Sequence, residues 1–64
     1  MKITTSLISR KFKLANAVSP VDGIDNGSIF TVESVVDKDC VLASFPGSDS
    51  LYTLCERHFG EEVE

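Results

Sequence analysis

The sequence predicts a mainly β chain: a small antiparallel barrel or curved sheet of four to five strands, with one short helical turn near its C-terminus. Three observations carry that expectation. Short runs rich in Val, Ile, Phe and Thr recur along the chain, the composition that suits pleated, half-buried strands. Between them Gly, Pro, Asp and Asn gather, each supplying a backbone conformation that turns require. The apolar period then changes at Leu54, where alternation gives way to a helical spacing.

The chain's 64 residues leave room for a single domain, residues 1–64, with a thin core, since chains of this size bury only about 60% of their unfolded surface. With 42% hydrophobic and 25% charged residues, the composition excludes disorder, which needs less apolar content and more charge. No apolar stretch approaches the roughly 18 residues of a membrane span. The opening Met1–Ser9 imitates a signal peptide, with Ala15-Asn16-Ala17 as a cleavage pattern. Thr4, Thr5 and Ser6 break its apolar run, however, and Arg10, Lys11 and Lys13 follow where such a segment stays apolar. The expectation is a cytoplasmic protein with no membrane contact.

Taken in order, Lys11 to Val18 alternates, with Phe12 and Leu14 on one face and Lys11 and Lys13 on the other. Ile3 to Ile8 either extends this strand or forms another. Ser19 to Gly27 reads as a long loop, with Ile24 folded back as an apolar anchor. Ser28 to Val36 is the strongest strand. Phe30, Val32, Ser34 and Val36 are expected on one face and Ile29, Thr31, Glu33 and Val35 on the other. Apolar residues on both faces place it centrally in the sheet. Asp37-Lys38-Asp39 makes a polar turn into a third strand, Cys40 to Phe45. Pro46-Gly47 fits the two central positions of a type II turn, and Ser50 to Leu54 is a fourth strand. Thr53-Leu54-Cys55-Glu56 matches a capping box, with Thr53 as N-cap, and Gly60 stands where the resulting turn, Leu54 to Phe59, would stop. Glu61 to Glu64 is either a short closing strand through Val63 or a frayed tail.

Charge is divided along the chain. Lys2, Arg10, Lys11 and Lys13 give the first twenty residues a net +4. From Val21 onward ten acids against Lys38 and Arg57 give −8, hence the overall −4. Folding either brings the basic strand against acidic neighbours or leaves an acidic face that steers partners.

Nothing in the sequence assembles catalytic machinery. Cys55 and His58 lie i and i+3 on the expected turn, but no third group orients them and so short a chain has little pocket to exclude water. Cys40, Cys55 and His58, with Asp39 or Glu61, would form a zinc ligand set, yet they lack the paired spacing of zinc modules. Asp37-Lys38-Asp39 lacks the further oxygens of a calcium loop, and no glycine-rich phosphate loop follows a strand. No cofactor and no enzymatic activity are expected. Cys40 and Cys55 sit inside apolar runs and read as buried thiols, with a single disulfide as the alternative.

A strand, a long Gly/Asp loop, three meandering strands, a helical turn and a short last strand is an order that resembles the SH3-like barrels. The likeness runs from Lys11 to Val63 and rests on Phe12 and Leu14, Gly27, the Phe30-Thr31-Val32-Glu33-Ser34-Val35 run, Leu51-Tyr52-Thr53-Leu54 and Phe59. A glycine before a Phe-Thr-Val strand is similar to small SH3-like accessory proteins of phages and prophages. The chain departs from peptide-binding SH3 domains, which line an aromatic groove for proline-rich ligands, since it has no Trp and Tyr52 is its one tyrosine. It also departs from nucleic-acid-binding barrels, whose loops are basic where these are acidic.

The function expected is a non-enzymatic protein-binding module. The phage resemblance implies a modulator or inhibitor of a host protein, one with a basic, nucleic-acid-binding surface that an acidic face would complement. Candidate contacts are the loop acids Asp22, Asp25, Asp37, Asp39 and Asp49, with Phe45 and Tyr52 as aromatic anchors beside the Pro46-Gly47 turn. One alternative is a nucleic-acid-associated barrel using Arg10, Lys11 and Lys13. Another is a subunit that self-associates through exposed Phe or Val side chains.

Overall fold

The structure is a computed structural model and describes residues 2–16 and 24–63. Five strands form one antiparallel sheet: β1 (Lys11–Leu14), β2 (Ile29–Val35), β3 (Cys40–Ser44), β4 (Leu51–Cys55) and β5 (Phe59–Val63). Their order across the sheet is β4-β3-β2-β1-β5. β2 is central, as its two apolar faces require. The last residues form a strand on β1, the first of the two outcomes left open for them. Ala17, Val18 and most of the Ser19–Gly27 loop, Asp22 included, lie outside the described residues.

Flat, five strands would make a slab about 10 Å thick. The molecule instead measures 27 × 23 × 22 Å, so the sheet rolls over its own apolar face. It does not close: β4 and β5 do not pair with each other. Of the two expected forms, the open curved sheet is the one found, and the closed barrel is not.

Alternation explains the core. Phe12 and Leu14 of β1, Phe30 and Val32 of β2, Val41 and Ala43 of β3 and Leu54 of β4 all face inward and are buried. Ring contacts run across this interior from Tyr52 to Phe45 (centroids 5.5 Å), Phe45 to Phe30 (5.9 Å), Phe30 to Phe59 (5.1 Å) and Phe59 to Phe12 (4.9 Å). The chain's four Phe and one Tyr are thus spent on one another, at edge-on or tilted geometries that suit aromatic quadrupoles. The N-terminal segment is not a strand. It forms a 3-10 turn, Thr5–Leu7, that drives Ile3 and Leu7 into the core. Ile24 packs against the core as expected.

Three local expectations change. The expected faces of β2 hold only to Val32. Its pairing with β3 runs Thr31↔Ser44 and Val32↔Ala43, then Ser34↔Leu42 and Val35↔Val41. Glu33 is therefore an extra residue, a bulge that resets the parity. Val35 turns to the core, while Val36 is 51% exposed. The capping box at Thr53 does not form, because Thr53 remains inside β4. The turn is a single 3-10 one, Glu56–His58, entered from Cys55, whose N–H donates to His58 Nδ1 at 3.1 Å. Gly60 does not stop a helix. It lies within β5, where an added Cβ would stand 2.7 Å from the Lys13 carbonyl oxygen, and the β1–β5 register slips at this point. Its missing side chain lets two backbones touch. The Pro46-Gly47 turn does form: Gly47 has φ of 83°, and the Ser48 N–H donates to the Phe45 carbonyl at 3.1 Å, the geometry type II turns need.

Candidate functional site

The two edges of the sheet are built differently. On one, β3 and β4 pair through five consecutive residues without a slip, from Ser44↔Leu51 to Cys40↔Cys55. Cys40 and Cys55 form a disulfide, their Cα atoms 4.0 Å apart; the buried free thiols first expected are not what forms. The cause is register. The Cys55 N–H goes to His58, and the next ladder bond joins the Glu56 N–H to the Asp39 carbonyl at 2.9 Å. Cys40 and Cys55 therefore occupy a non-hydrogen-bonded pair, the position where antiparallel strands approach most closely.

On the other edge, β5 lays its acids beside the basic residues of β1. Arg10 holds Glu62 through two hydrogen bonds, Nε to Oε2 at 2.7 Å and Nη2 to Oε1. The Lys13 ammonium lies 3.5 Å from Glu61. The hydrogen bonds raise the Arg10 pKa and lower that of Glu62. Arg10 also stands over the Phe12 ring, 5.8 Å from its centroid. Folding thus brings the basic strand against acidic neighbours, and two of the three candidate nucleic-acid contacts, Arg10 and Lys13, already hold carboxylates. Lys11 lies exposed on the same strand, opposite Thr31 and Val63.

The candidate acids do not converge. Strand register sends Asp37 and Asp39 to one end of the β2-β3-β4 ladders and Asp25 and Asp49 to the other. The Asp25 and Asp37 carboxylates serve their own turns, accepting from the Asn26 and Lys38 N–H groups at 2.7 and 2.6 Å. Phe45 is buried, at 5% exposure, and offers no ring to a partner. Tyr52 is half-buried against it.

What does come together is the disulfide end. The cross-link and the Glu56–Asp39 bond bring the β2–β3 turn beside the end of β4. An open cleft there is lined by Lys2, Ile3, Thr4, Lys38, Asp39 and Glu56. Glu56 and the N-terminal residues were not anticipated as site residues. The signal was the cysteine spacing, since pairing Cys40 with Cys55 forces Asp39 and Glu56 together. Next to it, burial and the neighbouring Arg57 charge lower the His58 pKa. Among the described residues, no group of His, Cys, Asp and Glu is arranged to hold a metal ion, and no helix is long and apolar enough to cross a membrane.

These features define a class of protein and no more: a small, mainly β chain with one antiparallel five-stranded sheet. No protein-family model, no curated protein and no solved structure matches it.

Proposed function

We propose that this chain is a non-enzymatic protein-binding module whose contact surface is the disulfide end of the sheet. The observation that carries the reading is the cleft where a backbone hydrogen bond joins Asp39 and Glu56, with Lys2 and Lys38 also in its lining and exposed Asp37 in the adjoining turn giving it a net negative charge. The chain is acidic throughout its second half, and here acids stand on a covalently fixed framework, so little ordering is needed on binding. A basic protein surface is the complementary partner.

The strand order, the 3-10 turn before the last strand and the β5–β1 pairing support an SH3-like module; the role of modulator or inhibitor of a host protein rests on the resemblance of Gly27 and the Phe30-Thr31-Val32 strand to phage accessory proteins. The Cys40–Cys55 bond weighs against the expected cytoplasmic residence, since disulfides persist mainly in oxidising compartments. The binding role does not depend on the compartment.

The test is capture from host lysate, untreated and nuclease-treated, by the wild-type chain and by an Asp39→Lys/Glu56→Lys variant. One protein retained by the wild type and reduced at least about tenfold by the variant is the expected result. Equal retention by both would overturn the acidic-end reading. Retention that vanishes with nuclease would move the function to nucleic acid and the Lys11 strand.

A further inference from the structure

We propose that the Cys40–Cys55 disulfide is a redox latch: reduction by a dithiol frees the Glu56–His58 turn from β3 while the sheet beneath stays packed. The face that the bond occupies is the first reason. Val41 and Ala43 of β3 and Leu54 of β4 point into the core, so alternation sends Cys40 and Cys55 to the opposite, solvent-facing side. Neither cysteine belongs to the core cluster, and Asp39, Thr53 and Glu56 around them are exposed. Disulfides open to solvent are typically the labile or regulatory ones.

The second reason is how the turn is hung. It carries the chain from β4, at one edge of the sheet, to β5 at the other. Its far end is fixed twice to the end of β1: the Ala15 N–H donates to the His58 carbonyl at 2.9 Å and the Asn16 side-chain amide to the Arg57 carbonyl at 2.7 Å. Its near end is joined to β3 by the disulfide and by the backbone bond from Glu56 to Asp39. The Cys55 N–H bonds within the turn itself, to His58. None of Glu56, Arg57 and His58 is buried, and no residue between Leu54 and Phe59 is part of the core. This stretch can therefore open without uncovering core surface, the condition for a low-cost local opening.

In the exchange, a thiolate of the dithiol attacks one sulfur, forming a mixed disulfide and expelling the other cysteine as a thiolate, which takes up a proton. The second thiol of the reductant loses its proton and displaces the remaining cysteine. Cys40 and Cys55 end as thiols and the dithiol as a cyclic disulfide, two electrons and two protons having moved to the protein. With the latch open, Glu56 leaves Asp39, and the cleft that both line loses one wall. An effect on partner binding rests on the acidic-end reading; the latch itself does not.

The test is NMR backbone relaxation of the full chain, oxidised and then reduced with dithiothreitol. The Cys55–His58 amides are expected to fall from a rigid order parameter of about 0.85 in the oxidised protein to below about 0.6 in the reduced one. The amides of Val32 and Val41, whose side chains are fully buried, should keep the rigid value in both states. A bond that dithiothreitol leaves intact in the folded protein would overturn the proposal, as would a turn that keeps its order once reduced. Loss of order at Val32 and Val41 as well would overturn it too, since the bond would then staple the whole fold. Lysate capture can fail with the latch intact, and the latch can fail with capture unchanged, so the two readings fall separately.

Discussion

The β3–β4 edge and the β1–β5 edge hold the same kind of ladder by opposite means. β3 and β4 are continuous, uncharged and cross-linked at Cys40–Cys55. β1 and β5 are joined with a slipped register, a backbone approach that only Gly60 permits, and carboxylates laid against Arg10 and Lys13. One edge is fixed by a bond that salt does not weaken, and the other leans on exposed ion pairs that salt screens. A chain this short has little core to spare, and the difference shows which end can be kept rigid enough to present a surface.

Breaking the covalent edge should have the largest effect. Replacing both cysteines by Ser, or reducing them, opens a loop of sequence separation 15 and should cost about 3 kcal/mol in urea unfolding. That is a large share of the stability of so small a domain. A midpoint unchanged by reductant would remove the covalent half of the comparison.

Gly60→Ala attacks the opposite edge. A Cβ 2.7 Å from the Lys13 carbonyl forces β5 away from β1, at a cost of about 1–3 kcal/mol. Thermal melts should show it, and a neutral result would mean that β5 has room the structure does not give it.

The edges should also differ in their response to pH. The His58 pKa is lowered by burial and by Arg57. The unfolded chain therefore takes up its proton first as pH falls, and stability is full above the ordinary histidine value of 6.5 and declines below it. The same proton abolishes the acceptor for the Cys55 N–H. Unfolding curves between pH 8 and pH 5 should show this decline, and His58→Gln should flatten it.

The smallest effect belongs to Arg10 and Glu62. The Glu62 pKa is lowered chiefly by the Arg10 hydrogen bond, so its contribution is present above the ordinary glutamate value of 4.5 and is lost as pH falls through the folded value. Both side chains are exposed, and Glu62→Gln should shift the melting temperature only slightly, less so in high salt. A large shift would mean that the ionic edge carries more of the fold than exposed pairs do.

Alternation put Phe12 with Leu14 and Phe30 with Val32 on shared faces, all four of them buried, and β-branched density made β2 central. Turn chemistry located Pro46-Gly47. Two features escaped and a third, the disulfide, stood only as the alternative to free thiols, each for a physical reason. The Glu33 bulge depends on how two strands slide past each other, which neither sequence shows alone. The 3-10 turn Thr5–Leu7 breaks periodicity within a run too short to display it. The disulfide was visible only as a spacing: Cys40 opens one strand and Cys55 closes the next, and a hairpin with no slip makes them opposite. With that pairing unread, Glu56 was not associated with Asp39, and the acids appeared as one dispersed face.

Alkylation of the protein purified without reductant, in denaturant and read by intact mass, addresses the covalent edge most directly. The account predicts no alkylated cysteine before reduction and two afterwards. Two alkylated cysteines before reduction would leave β4 without its bond, and the contrast between the two edges would not hold.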